Sequence, residues 1–276
     1  MRIDELLRAS RAAGLERADA EILLAAASGR RRTQLLAWPE QELDAVTLER
    51  FAQWQHRRLQ GEPVAYLLGQ QEFHGLTLTV NAHVLVPRPE TELLVDFALQ
   101  RTLPPAGVRV ADLGTGSGAI ACAVARRRPC WSVSAVDRST GALAVARHNG
   151  ARLGLSNIVW LEGDWYAPLA GQRFDVLLSN PPYLAADDPH LTALRHEPRL
   201  ALVGGDDALA CLQHLVSGAP THLLTDGWLA LEHGWTQASA VRTLLDRHGF
   251  LDVASQLDLA GIERISFGRW PGDSCA

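Results

Sequence analysis

The apolar run "DVLLSN" (175–180) leads straight into Asn180-Pro181-Pro182-Tyr183. Two consecutive prolines remove two backbone donors, and each pushes the residue before it out of the helical region. The product is a stiff, donor-poor corner carrying a side-chain amide and a phenol ring. A proline carbonyl and the Asn180 side-chain oxygen can together accept both hydrogens of a target NH2 group. A planar amide or arylamine nitrogen is a poor nucleophile because its lone pair is delocalised. Held by both hydrogens, it is aimed at an electrophile and favoured as charge builds on it. Tyr183 can stack on a planar target, and the Asn180 N–H can donate toward a second ligand. No side-chain base is required beforehand, so positioning would supply most of the acceleration. Taken alone, the four residues read equally well as the start of a stiff loop, since Asn and Pro both favour turns.

A second constellation lies upstream. In "VADLGTGSGAI" (110–120), Gly114, Gly116 and Gly118 let backbone pass close to a ligand, and the following helix start offers free N–H groups. Asp112 makes the pattern D-x-G-x-G-x-G instead of G-x-G-x-x-G. Asp137 ends the next strand, where a carboxylate can accept both hydroxyls of a ribose. Asp164 and Trp165 end the third, where a carboxylate and a flat ring could bracket an adenine. Singly, Asp137 could cap a helix and Trp165 could be core. Together, at successive strand ends of one sheet, they describe a nucleoside site.

Those strand ends need a scaffold. Residues 1–70 are expected to be helical, with "IDELLRASRAAG", "ADAEILLAAASG" and "LDAVTLERFAQWQHRRLQG" showing apolar residues at three- and four-residue spacing. In the third, Leu48, Phe51, Trp54 and Leu59 would share a face. Residues 71–87 are expected to form a hairpin linker, in which Leu76, Leu78 and Val80 alternate with polar residues, as Val84 and Val86 do less cleanly. From residue 88, helix-period and strand-period segments alternate, which implies an α/β domain with a parallel sheet covered on both faces. Within it, helices are expected over "ETELLVDFALQRTL" and near 206–218, and a strand over "GWLALEHG". The last two strands, "LDVASQLD" and "RISFGRW", are close enough for an antiparallel edge.

Composition narrows the class. The net charge of −5 and pI near 6.1 give no global drive toward nucleic acid or an anionic membrane. The 26 basic residues are all arginine, read as coding bias. Cys122, Cys130, Cys211 and Cys275 show no C-x-x-C spacing, so neither a metal site nor a disulfide framework is expected, and the thiols should be buried or inert. The start "MRIDELLRAS" carries acids and no apolar run, and no stretch is long and apolar enough for a membrane span, so a cytoplasmic protein is expected.

The D-x-G-x-G-x-G turn resembles the first motif of class I S-adenosylmethionine-dependent methyltransferases. With "GEPVAYLLGQQEFHGL" (61–76), "VPRPETE" (86–92), "AVDRS" (135–139), "GDW" (163–165), "SNPPYL" (179–184), "EPRLAL" (197–202) and "LEHGW" (231–235), the whole chain resembles the peptide chain release factor glutamine methyltransferase family, PrmC or HemK. The resemblance implies a Rossmann-like methyltransferase domain (88–276) with a mostly parallel seven-stranded sheet and an antiparallel edge. A small all-α substrate-recognition domain (1–70) and the hairpin linker would precede it. It further implies N5-methylation of the glutamine in the Gly-Gly-Gln motif of class 1 release factors, with S-adenosylmethionine as donor, S-adenosylhomocysteine as coproduct and no metal. Gly114, Thr115, Gly116, Ser117, Gly118, Asp137, Trp165 and Asn180 would hold the cofactor. Asn180, Pro181, Pro182 and Tyr183 would hold the glutamine, with Asn180, Pro181 and Tyr183 catalytic. Asp112, Asp164, Glu90 and Thr91 would lie near the cofactor, although helix capping accounts for Glu90 and Thr91 nearly as well. A monomer is expected. Three features depart from the family: a short segment before "HEPRLAL", His196 in place of an aromatic, and Ala208 in place of a glycine.

The rival readings are an N6-adenine DNA methyltransferase, a non-catalytic release-factor adaptor and a nicotinamide enzyme. The first would usually carry a target-recognition domain and a basic groove, neither of which is visible here. The glycine turn and NPPY together argue against the second. The spacing of the turn, and the lack of a hydride-partner histidine, argue against the third.

Overall fold

Apolar spacing through the first seventy residues produces helices α1 (Ile3–Ala12), α2 (Arg17–Ser28), α3 (Arg32–Ala37), α4 (Ala45–Leu59) and α5 (Val64–Leu68) in the computed structural model, which describes residues 1–205 and 207–272. The punctuation is local. Gly29 ends α2 in the left-handed conformation (φ 66°), and the Asp44 carboxylate caps α4 by accepting from the Thr47 N–H at 2.8 Å. Ile3, Leu23, Leu24, Leu35 and Phe51 form the core of this bundle. Leu48 and Trp54 flank Phe51 half-buried, but Leu59 is exposed. Its neighbour there is Gly14, which has no side chain to cover it. Glu21 is buried and balanced by Arg17 and Arg32, each at 2.6 Å.

The chain divides into two compact units, Met1–Gln70 and the remainder from Gln71. A hairpin of β1 (Gln70–Phe73) and β2 (Leu76–Thr79) opens the second, turning on His74 and Gly75 with φ of 50° and 76°. Positive φ at both central residues is the two-residue turn whose twist matches paired strands. The expectation had drawn Val84 and Val86 into the hairpin. Both are buried, but outside any strand, because their N–H groups are taken by Asn81 O and by Glu197 Oε2. Phe73 and Leu78 join the core of the second unit.

A 3-10 turn (Pro89–Thr91) then leads into α6 (Glu92–Gln100), shorter than the helix expected over 90–103. The alternating part follows: β3 (Arg109–Leu113), α7 (Ala119–Arg127), β4 (Ser132–Asp137), α8 (Thr140–Arg152), β5 (Ile158–Glu162) and β6 (Phe174–Ser179). It closes with α9 (Ala210–His222), β7 (Leu223–Glu232), α10 (Ala238–Arg247), β8 (Leu251–Leu257) and β9 (Glu263–Arg269). The helix expected near 206–218 starts later because residues before it form a turn: the Leu209 N–H donates to the Asp207 carboxylate and the Ala210 N–H to Asp207 O. The strand expected from Gly227 starts earlier, at Leu223, across a register shift opposite Phe174 and Val176.

The described strands form a seven-stranded sheet of order β5-β4-β3-β6-β7-β9-β8, parallel from β5 to β7, with β9 antiparallel to both neighbours. Side-chain alternation sends Val110 and Leu178 to the face covered by α6 and α7. Ala111, Leu113 and Leu177 go to the face covered by α9 and α10. The strand order reverses between β3 and β6, and the crevice at the carboxyl ends of strands at such a point is where ligands bind in open α/β sheets.

Among the described cysteines, Cys122 is buried, which pushes its thiol up to about 12, and Cys211 is half-buried. Cys130 is exposed, and Cys275 lies outside the described residues. No helix among the described residues is long and apolar enough to cross a membrane.

Candidate active site

The turn after β3 is built on Asp112. This side chain is fully buried, and its Oδ2 accepts from Thr115 Oγ1 at 2.5 Å and from the Ala121 N–H at 3.2 Å. One carboxylate oxygen thus ties the turn to the first turn of α7. Burial pushes the Asp112 carboxyl up to about 7, and the nearby Asp137 charge adds to the shift. Gly114 and Gly116 have φ of 76° and 55°. A Cβ on Gly114 would stand 3.3 Å from the Trp165 ring, and one on Gly118 3.1 Å from Trp160 and Ala146, so the turn is glycine-rich for both conformation and space.

Asp137, the last residue of β4, faces this turn. Its Oδ2 accepts from the Gly116 N–H at 2.8 Å and its Oδ1 from the Ser139 N–H at 2.9 Å. Each oxygen keeps acceptor capacity for a hydroxyl. Burial raises its carboxyl above the usual range, while those backbone bonds pull it down. The cap of α8 is Ser139, whose Oγ accepts from the Ala142 N–H at 3.1 Å, so Asp137 is not spent on capping.

These groups border a cavity of about 330 Å³, within the usual range for small-ligand sites. Thr115, Ser117, Asp164, Trp165, Asn180 and Thr91 also line it, as do Pro182 and Leu200. Trp165 is held at φ 48° with its ring against Gly114. Asp164 is exposed, 3.9 Å from Arg138. Asp112, Gly118, Glu90, Pro181 and Tyr183 are not on this wall. Asp112 lies buried beneath the turn, Gly118 starts α7 in the left-handed conformation, and Pro181 is buried behind Pro182.

The Asn180 corner is braced from several sides. Asn180 Nδ2 donates to Thr91 Oγ1 at 3.1 Å, so Thr91 serves this contact and does not cap α6. Gln237 Nε2 donates to Tyr183 O at 3.2 Å. A Cβ on Gly204 would meet the Pro182 carbonyl at 2.6 Å, so only glycine allows the returning chain this close. Leu184 pairs with Val203, closing the intervening loop at its base. Inside that loop Glu197 is buried, holding the Val86 N–H at 3.0 Å and pairing with Arg88. Burial pushes the Tyr183 phenol up to about 12, keeping it neutral.

Three buried polar residues were given no role by the sequence reading. Asn149, inside α8, accepts from the Thr79 N–H at 2.7 Å and donates to Thr79 O at 3.0 Å and Ser117 O at 2.9 Å. Glu197 was quoted only as part of a motif. So was Glu232, at the end of β7, which is buried with Oε2 lacking a hydrogen-bond partner and its carboxyl pushed up to about 7 by that burial. A charged residue ending the apolar run "WLAL" was the available signal for Glu232. Asn149 had none, since an Asn in a helix reads as solvent-facing.

The residues fit S-adenosylmethionine. The cavity has the size, Gly114 and Gly116 bring bare backbone to its wall, and Asp137 offers free acceptor capacity on the same wall as the flat ring of Trp165. The family profile named "PrmC N-terminal domain" matches residues 4–69, and "Methyltransferase small domain" matches residues 90–196. The chain is 51% identical over 277 residues to a release factor glutamine methyltransferase of Burkholderia pseudomallei, covering 97% of this chain and 96% of that one. It is 50% identical over 256 residues to that of Pseudomonas aeruginosa, covering 92% of each. A crystal structure of a methyltransferase from Pyrococcus furiosus shares the fold, with a TM-score of 0.55 at 21% identity, covering 80% of this chain and all of that one.

Proposed function

The chain belongs to the release factor glutamine methyltransferase family and is an enzyme that methylates glutamine in release factors; from that premise we propose the donor, the acceptor atom and the residues that bring them together. The donor is S-adenosylmethionine, and the acceptor is the side-chain nitrogen, N5, of the glutamine in the Gly-Gly-Gln motif of class 1 release factors. Residues 1–70 form the recognition domain, 71–87 the hairpin linker and 88–276 the transferase domain. The protein acts as a cytoplasmic monomer.

The observation that carries this reading is that Asn180 stands on the wall of the cavity built by the glycine turn and Asp137. Gly114 to Ser117 cradle the donor by backbone, with Gly118 starting the helix behind them, Asp137 accepts its ribose hydroxyls, and Trp165 covers its base. When bound, the donor supplies a methyl group on a positively charged sulfur. The Asn180 side-chain oxygen and the Pro181 carbonyl each accept one N–H of the glutamine amide, so its nitrogen is presented in line and the charge that grows there is stabilised. Tyr183, neutral, packs on the amide plane. The proton leaves after transfer, and no residue needs to remove it first.

Incubation of the protein with full-length release factor and methyl-labelled S-adenosylmethionine, followed by fragmentation mass spectrometry, tests this. The expected product carries one added methyl on the side-chain nitrogen of the Gly-Gly-Gln glutamine. Label on another residue, or on DNA supplied in its place, would overturn the reading.

A further inference from the structure

β6 and β7 run parallel with Ser179 opposite Leu231, so Asn180 and Glu232 come next to each other at the carboxyl end of the sheet. Glu232 is 3% exposed, and the side chains within hydrogen-bonding reach of its carboxylate are those of Thr91 and Asn180, with the charges of Glu90 and Arg264 further off. Its Oε2 is buried without a hydrogen-bond partner. A carboxyl group left incompletely satisfied inside a protein is costly, and such groups are rare enough to call for an explanation.

We propose that Glu232 is a positioning residue that sets the orientation of the Asn180 amide, with Thr91 as the second contact. The inference rests on the reading of Asn180 as the group that accepts from the target amide. An amide can turn about its last bond and exchange oxygen for nitrogen with little change of shape. That freedom is damaging here, because a reversed Asn180 would offer N–H groups to an incoming NH2. When ionised, Glu232 accepts and cannot donate, so it repels the Asn180 oxygen and takes its N–H. Asn180 Nδ2 also donates to Thr91 Oγ1 at 3.1 Å, which directs the same end of the amide toward both partners. The Asn180 oxygen is then left free as an acceptor. An apolar side chain at position 232 would fill the same space without choosing between the two orientations.

The test is a double-mutant cycle on single-turnover methyl transfer to full-length release factor, with donor affinity measured separately by calorimetry. Glu232→Leu removes the acceptor while keeping most of the volume, and is expected to slow transfer ~10–100-fold, the worth of a hydrogen bond to a charged group. Donor affinity should stay within about threefold, a shift small beside one such bond. Glu232→Gln, which still offers one oxygen, should recover most of the rate. In an Asn180→Ala background, Glu232→Leu should cost less than about twofold, because no amide remains to orient. If Glu232→Leu fails to fold, Thr91→Val, matched in shape, carries the same cycle and the same expectation. An equal loss with and without Asn180, a glutamine variant as slow as the leucine one, or a loss confined to donor affinity would overturn the proposal. Wild-type protein that places no methyl on the release-factor glutamine would instead remove the underlying reading, which separates the two failures.

Discussion

The backbone N–H of Gly116 donates to Oδ2 of Asp137 at 2.8 Å, pinning the tip of the turn after β3 to the residue that ends β4. The same carboxylate is the one proposed to accept a ribose, so turn geometry and ligand binding would share one side chain. Asp137→Ala removes both roles. Donor affinity by calorimetry is expected to fall ~10–100-fold for each charged hydrogen bond lost. An unchanged affinity would mean that the ribose is held elsewhere.

Asn180→Ala deletes one of the two acceptors proposed for the target amide and leaves the sheet untouched. Transfer is expected to slow ~10²–10³-fold, the range seen when one aligned polar group is removed from a reacting centre. The circular dichroism spectrum and melting temperature should match wild type. Full activity in this variant would rule out the acceptor role.

Gly204 has its space limited by the Pro182 carbonyl, 2.6 Å from where a Cβ would be. Backbone cannot give way as a flexible side chain can, so Gly204→Ala must displace the corner. The expected cost is about 1–3 kcal/mol of overpacking, with kcat reduced because the adjacent Asn180 moves too. A variant with wild-type kcat would show that the corner tolerates displacement.

Asp112 titrates near 7 in the folded chain, against about 4 for an exposed aspartate. Its folded-state pKa is raised, so between these values the native state binds more protons than the unfolded one, and stability falls as pH rises. Asp112→Asn is neutral throughout and keeps an oxygen for Thr115 and Ala121. The melting temperature of Asp112→Asn minus that of wild type should therefore increase from pH 5.5 to pH 8. A difference that is flat or that shrinks would contradict the burial of an ionisable group there.

Asn149 satisfies both backbone groups of Thr79 and the Ser117 carbonyl, joining β2 to the glycine turn through α8. Asn149→Ala would orphan all three, at about 1–3 kcal/mol for each buried group that water cannot reach. The melting temperature should drop by on the order of 10–30 °C. Donor affinity should fall as well, since Ser117 belongs to the turn. A stable variant would mean that water replaces the amide.

Much of the site was legible in the chain because its parts are local. Three glycines in five residues need no tertiary context to make a turn, two prolines stiffen their own corner, and an acid at a strand end follows from the alternation of elements. The alternation itself placed Asp137, Trp165 and Asn180 at successive carboxyl ends, since parallel strands joined by helices all point one way. What only the tertiary structure decided are the pairings between residues far apart in sequence. The hairpin partner was misjudged because Val84 and Val86 have strand-like spacing, whereas the Val84 N–H is taken by a local turn to Asn81 and the Val86 N–H by the distant Glu197. Leu59 carries a core residue's character but lies over Gly14. Asn149, Glu197 and Glu232 look like ordinary polar residues in their own segments. Their roles come from partners 52 to 109 positions away, in the Glu232–Asn180, Asn149–Thr79 and Glu197–Arg88 approaches brought about by strand order and loop return. A buried polar group is defined by what surrounds it, and only folding brings those surroundings together.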